Sequence, residues 1–335
     1  MEITSNHPTG GDFCYILGLK ENVMNKIFIL LVSCLSIILS SCGPEIEPSP
    51  SAAWTQRTSM PTARSENAAA VIGRIIYVPG GFGGEQTLEA YDTATDTWQT
   101  LADLPEPRHH LMAASHGGKV YIFGGARSLL DWKPQAKAWA YDVETDSWSE
   151  IASMPEPRLA GAAVALGEFI YVVGGTGGSN ALLRYDPVQN EWTSLANLSQ
   201  SREHTAASTL DGKIYALGGR WGDTGELISV EVYDPATDSW MAAPSLQTAR
   251  GGFAAVAMDG KLYALGGEVL SGANQALTSV EVFDPQQDAW VSGPALPLPL
   301  HGVPAVSVDG VIYVLGGADR AGAISNQGLV FSLKP

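Results

Sequence analysis

"IYALGG" at residues 214–219, "LYALGG" at 262–267 and "IYVLGG" at 312–317 are three spellings of one hexapeptide, and looser copies stand upstream. These are "IYVPGG" at 76–81, "VYIFGG" at 120–125 and "IYVVGG" at 170–175. Each is a short run of β-branched and aromatic residues, suited to a buried strand. Each ends on two glycines, where the backbone needs torsions that other residues resist. The Gly-Gly pairs are 44, 50, 44, 48 and 50 residues apart. Trp54, Trp98, Trp148, Trp192, Trp240 and Trp290 keep the same steps. Between them stand Tyr91-Asp92, Tyr141-Asp142, Tyr185-Asp186, Tyr233-Asp234 and Phe283-Asp284, with Phe331-Ser332 as a degenerate sixth. A period of about 45–50 residues carrying such marks points to a propeller, one four-stranded blade per repeat.

The fourth repeat shows the unit. "TAASTL" reads as strand a, and Asp211-Gly212 is a strong two-residue hairpin signal leading into "KIYAL", strand b. "SVEVYD" alternates as strand c, "PATD" turns the chain, and "SWMAAPS" is strand d. Strand a is Ala-rich in most copies, as expected where inner strands crowd about an axis. The Trp and Tyr residues are expected to pack between neighbouring blades.

Gly-Gly, Tyr-Asp and Trp recurring in this order resemble the kelch repeat over residues 54–335. The resemblance implies an all-β, six-bladed propeller of four-stranded antiparallel blades. The phase of the repeat predicts how the ring closes. Trp54 precedes any Gly-Gly pair, and "GLVFSL" ends the chain with no Trp after it. The segment around Trp54 is therefore expected to supply strand d to the blade begun at His301, which removes the exposed edges of an open array.

Composition narrows the function classes. Among 335 residues, 35 acidic side chains face 19 basic ones, for a net charge of −16. That balance argues against nucleic acid as a partner. Cys14, Cys34 and Cys42 are the whole cysteine complement, so the repeat region has no disulfide and no thiol chemistry.

The amino end reads as an address. From Met24, "MNKIFILLVSCLSIILSSCGPE" gives Lys26, an apolar run from Ile27 to Leu39, and then "LSSC". The run has the length of a signal-peptide core. "LSSC" resembles the bacterial lipobox, which implies cleavage before Cys42 and a lipid on its thiol. The expected organisation is residues 1–23 as an upstream extension or mis-assigned start, 24–41 as a lipoprotein signal peptide, 42–53 as a Pro- and Ser-rich tether, and 54–335 as the propeller. The expected location is the bacterial cell envelope, lipid-anchored and facing the extracytoplasmic side.

Strands alternate in direction, so the d–a and b–c connections share one face, and the short a–b and c–d turns share the other. Five d–a connections carry an Arg ten residues after their Trp: Arg64, Arg108, Arg158, Arg202 and Arg250. His301 takes the sixth place, one residue later. Two roles are open. The guanidinium groups either ring the channel mouth as an anion site, or bond carbonyls of the adjacent blade and tie the d–a loop down. The kelch resemblance implies that arginines at this position hold acidic peptides or sugar acids. Beside them stand Glu66, His109, His110, Glu203 and His204, with Glu203 and His204 as candidates for proton transfer. Arg127, Trp132, Lys133, Arg220 and Trp221 lie off the repeat signature on b–c loops and suggest a contact surface. Trp139, directly before Ala140-Tyr141, reads as blade packing. No metal site, cofactor or phosphate-cradling loop is expected, because His and Cys show no dense ligand spacing.

The expected function is a monomeric binding module recognising an acidic peptide, protein or glycan, with Arg64, Arg108, Arg158, Arg202, Arg250, His301, His109, Arg220, Trp221 and Trp132 as ligand-binding residues. The alternative is an epimerase or mutarotase resembling the bacterial sialic-acid epimerases, from which this chain departs in lacking long insertions. A protein-assembly scaffold is the third reading; it predicts a flat apolar patch on the mouth face.

Overall fold

The computed structural model describes residues 54–177, 180–324 and 327–334. The expected leader, Cys42 and the tether lie outside the described residues. Those residues form six four-stranded antiparallel sheets, and in the first five the strands a to d follow sequence order from the axis outward. The fourth sheet shows the pattern: Ala206–Leu210, Lys213–Leu217, Val230–Asp234 and Ser239–Ala243. Its a–b turn is at Asp211 and Gly212, both with positive φ (51° and 72°), the paired left-handed geometry of a type I′ hairpin.

The sixth sheet closes the ring. It takes Ala305–Val308, Val311–Leu315 and Val330–Leu333 from the carboxyl end and Thr55–Arg57 from the amino end. Gln56 pairs with Phe331, and the Trp54 indole N–H donates to the Pro294 carbonyl at 3.0 Å. The same bond recurs between successive blades. Trp98 donates to Thr58, Trp148 to Ala102, Trp192 to Ala152, Trp240 to Ala196 and Trp290 to Pro244, at 2.8 to 3.0 Å. Trp98, Trp148, Trp192, Trp240 and Trp290 also lie 5.0 to 5.3 Å from the Tyr or Phe opposite them on strand c. The aromatic signature thus pins strand d of each blade to strand d of the blade before it.

The repeated Gly-Gly has an equally local cause. The second glycine donates its N–H to the d–a corner of the next blade. Gly81 bonds Arg108, Gly125 Arg158, Gly175 Arg202, Gly219 Arg250, Gly267 Leu300 and Gly317 Arg64, all carbonyl acceptors at 2.7 to 2.9 Å. The first glycine lies under the same carbonyl. A Cβ on Gly174 would stand 2.6 Å from the Arg202 oxygen, and φ there is +60°. Only glycine satisfies both the torsion and the approach.

Candidate functional site

The d–a corners decide what each sequence candidate can do. Arg64, Arg108, Arg158, Arg202 and Arg250 are all 0% exposed. Four of the guanidinium groups turn away from the axis into the gap between strands b and c of their own blade, whereas that of Arg108 donates to the Pro107 carbonyl at 2.7 Å and pairs with Glu106 at 2.9 Å. Arg202 Nη1 donates to the Gly218 and Ser229 carbonyls at 2.8 and 3.0 Å, and Arg250 Nη1 to those of Gly266 and Ser279 at 2.7 and 3.0 Å. Arg64 and Arg158 do the same with Gly80 and Thr87, and with Gly174 and Ala181. The expected anion site on these five arginines is therefore corrected. Arg64, Arg158, Arg202 and Arg250 tie down the corner that ends strand b, and all five side chains are shut off from solvent.

Their partners vary in a coordinated way. In blades 1, 4 and 5 the second residue of strand c is a buried glutamate, and Arg64–Glu89, Arg202–Glu231 and Arg250–Glu281 are ion pairs. Glu231 also accepts the Ser199 N–H at 2.8 Å, and Glu281 that of Gln247 at 2.6 Å. Trp139 takes the carboxylate's place in blade 2, and the Arg108 guanidinium lies 4.9 Å over its ring. Leu183 takes it in blade 3, where Arg158 instead meets the half-exposed Glu156 at 3.4 Å. In blade 6 the glutamate becomes Phe331 and the arginine becomes Leu300, itself fully buried. The Leu300 carbonyl accepts from Gly267 as the arginine carbonyls do elsewhere. His301 thus occupies the next position of the corner, a second correction. It pairs with Ala318, as His109 pairs with Ala126 and Glu203 with Arg220.

Two residues past the arginine, the chain reaches the axis. Glu66, His110, Ala160, His204, Gly252 and Gly302 all have φ between 46° and 60°. The Glu66 N–H donates to Gly302, His110 to Glu66, Ala160 to His110, Gly252 to His204 and Gly302 to Gly252, at 2.7 to 2.9 Å. These five bonds each run from one blade to the one before it and form a backbone collar at the channel mouth. The collar residues and those immediately following enclose a cavity of about 90 Å³. Left-handed torsions cost a non-glycine residue about 1–2 kcal/mol, so Glu66, His110 and His204 stand where glycine is the easier choice.

Their side chains form one network. His110 Nε2 lies 3.2 Å from Glu66 Oε2, and the His110 and His204 rings are 5.0 Å apart. His204 Nδ1 bonds Glu203 Oε2 at 2.6 Å. Arg220 bridges outward, with Nε donating to Glu203 at 2.9 Å and Nη1 to Glu268 at 2.6 Å. His301 Nδ1 faces Glu66 and Glu268 at 3.5 and 3.4 Å. Burial drives the His110 pKa down to about 3, against a partial upward pull from Glu66. Burial pushes the Glu66 carboxyl up, but His110, His301 and His204 outweigh it and hold the group well below the usual carboxylate range. Glu203 is likewise lowered to about 2, because His204 and Arg220 overcome its desolvation. His301 runs the other way: burial lowers it, and Glu66 and Glu268 raise it more. The mouth is thus a mixed-charge cluster, and Arg220 in it is already held by two carboxylates.

Comparison with known proteins bears on the repeat and the fold. Residues 50–203 match the KLHDC2/KLHL20/DRC7 Kelch-repeats domain, and residues 201–247 and 249–297 each match the Kelch motif. The chain belongs to the kelch-repeat β-propeller family. It is 34% identical over 121 residues to the Kelch-like protein terF of Aspergillus terreus, covering 34% of this chain and 24% of that protein. Alpha-scruin of Limulus polyphemus is 31% identical over 85 residues, covering 24% of this chain and 9% of that protein. The chain thus spans only a small part of these relatives. Among solved structures, YjhT superposes with a TM-score of 0.73 at 17% identity, covering 82% of this chain and 96% of that one. That likeness shows the fold.

A kelch propeller is a fold typical of protein-binding modules; of the remaining sequence candidates Trp132 and Trp221 lie where a partner could touch, whereas His109, expected to contact ligand, does not. His109 is fully buried and stacks on Phe82 at 4.1 Å. Trp132 is half-exposed and covers that pair, with its ring 4.9 Å from both His109 and His110. Trp221 is half-buried, at the start of a short 3-10 turn, Gly222–Thr224. Sequence reading missed Leu129 and Leu130. They sit on a turn closed by the Asp131 N–H on the Ser128 carbonyl at 3.0 Å, and Trp132 Nε1 donates to Leu129 at 2.9 Å. Leu130 is 98% exposed. The available signal was "SLLDWK" itself, two adjacent leucines and a tryptophan in one connection.

Proposed function

We propose that this kelch propeller is a protein-binding module whose docking face is the mouth face, with the 129–132 turn of blade 2 as its anchor. Leu130 carries the reading: a large apolar side chain at full exposure on a hydrogen-bonded, preformed turn. Burying it against a partner stabilises a complex by about 1.5–3 kcal/mol, and a preformed turn loses little freedom on docking. Ile228, Leu270 and Ile324, on the b–c connections of blades 4, 5 and 6, extend apolar exposure round the same face. The acidic ligand inferred from the arginines has no support in their buried geometry. The partner that fits is a protein with an apolar pocket, met at the membrane surface if Cys42 carries a lipid. Cross-linking from a photoreactive residue at position 130, in cells, tests this. The expected result is one dominant partner whose capture is lost in Leu130→Asp; equal capture by that variant overturns the reading.

One observation favours a second reading. Glu203 and His204, hydrogen-bonded on the mouth wall, make the acid–base pair that a sugar-acid epimerase or mutarotase requires. Pockets for such ligands usually measure about 300 Å³ or more, so the sugar would bind above the collar, between the b–c loops. An NMR anomerisation assay decides: turnover that falls in Glu203→Gln supports catalysis, and no turnover removes it.

A further inference from the structure

The geometry points to a divalent transition-metal site at the channel mouth, with Glu66, His110 and His204 as ligands. Each offers one donor atom, and the three lie within 4.8 Å of one another. A first-row ion with bonds of about 2.0–2.2 Å holds neighbouring donors roughly 3 Å apart, so small side-chain rotations close the site. Two imidazoles and one carboxylate suit zinc and its neighbours, not calcium or magnesium, which take oxygen ligands. The outer contacts are those of a ligand set. His204 has its Nδ1 on Glu203, which Thr176 Oγ1 also bonds at 3.1 Å and Arg220 holds in place. His110 has its Nδ1 on His109 Nδ1 at 2.7 Å. In both rings this leaves Nε2 as the atom to offer, and a partner on the other nitrogen is how ligating histidines are oriented.

Two further observations single out this place. The ligands come from three blades at one equivalent collar position, where blades 5 and 6 have glycine and blade 3 has alanine. Backbone strain kept at such positions is a mark of functional sites. The adjacent Asn67 also lines the cavity. Its side chain is nine-tenths buried, and neither of its amide atoms has a hydrogen-bond partner. Three protein ligands leave positions of the ion open toward the cavity, and the Asn67 amide stands ready to bond a water or anion bound there.

Titration of the metal-stripped propeller with Zn²⁺, read by calorimetry, tests this, with Co²⁺ absorption reporting geometry. The expected result is one ion per chain and a Co²⁺ spectrum of low coordination number. His204→Ala should abolish stoichiometric binding, and Glu203→Gln should weaken it about 10–100-fold. His116→Asn, on the inner strand of blade 2 away from the collar, should leave it unchanged. Ala160 shows that alanine is accommodated at this corner. Should the variants misfold nonetheless, X-ray absorption on zinc-loaded wild type still counts imidazoles. Binding below one equivalent, binding undisturbed in His204→Ala, or a zinc environment without two imidazoles overturns the site.

Discussion

Two columns of the same six corners, two residues apart, behave in opposite ways. The first reads Arg, Arg, Arg, Arg, Arg, Leu and is buried throughout. The second reads Glu, His, Ala, His, Gly, Gly and surrounds the mouth cavity. Both have fixed backbone geometry: the first accepts the Gly-Gly bond from the preceding blade, and the second builds the collar. They differ in where the side chain goes. An arginine directed between strands b and c meets the equivalent carbonyls in blades 1, 3, 4 and 5, so the repeat dictates it. A collar side chain meets the axis, where the blades impose only a left-handed torsion. Repetition here marks service to the fold, and departure from repetition marks freedom for chemistry.

The largest effect expected on this view is at Arg250. Arg250→Ala leaves Glu281 buried without its cation, which costs about 3–5 kcal/mol. Arg158→Ala should cost distinctly less in the same urea titration, because Glu156 is half-exposed and water takes over. Equal losses would erase the distinction between the blades. Opening the ring comes next. Trp54→Ala removes the Pro294 bond and the packing that seals blade 6, and a loss of about 3 kcal/mol is expected. Hydrogen exchange should rise first in Val330–Leu333; uniform exchange would speak against closure by this strand. Leu130→Asp should change stability by less than about 0.5 kcal/mol while removing partner capture.

The smallest effect is at Glu106, on the corner of blade 2. Its carboxyl bonds Lys137 and Arg108 and is held down at about 2, from an ordinary 4.5. A lowered carboxyl stabilises the fold above its unfolded pKa and loses that contribution as pH falls through the folded value. The contribution is therefore present at neutral pH and disappears between about pH 4.5 and 2. Glu106 is partly exposed and water screens its ion pairs, so the amplitude is small. Glu106→Gln should shallow the acid limb of a melting-temperature profile; an unchanged limb would place that dependence elsewhere.

The fold was legible in the sequence because six copies impose one solution, and the closing strand followed from the unmatched Trp54. The direction of the arginines was not. A corner residue just before an inner strand can point to the axis or into its own blade, and the loop sequence alone does not choose. A clue lay some thirty residues on, at Glu89, Glu231 and Glu281, replaced by Phe331 in the blade where Leu300 replaces arginine. A weaker one lay in the corner itself. Ser199 and Gln247 supply N–H donors to the glutamates of blades 4 and 5, whereas blades 2, 3 and 6, which lack the glutamate, have Pro105, Pro155 and Pro297 there; blade 1 keeps Glu89 beside Pro61, and the Thr62 hydroxyl donates to the carboxylate at 2.8 Å. Glu66, His110 and His204 were visible singly, but they are 44 and 94 residues apart. Ligand spacing along the chain misses them; only alignment on the corner puts them in one column.

The buried role of the arginines is tested most directly by grafting the corner of blade 6 onto blade 5. Arg250→Leu alone should be strongly destabilised, with Glu281 left buried and unpaired. Adding Glu281→Phe and Gln247→Pro should recover most of that loss in urea unfolding, with zinc binding unchanged throughout. If the triple variant is less stable than Arg250→Leu, the arginine corner is not the self-contained packing unit described above.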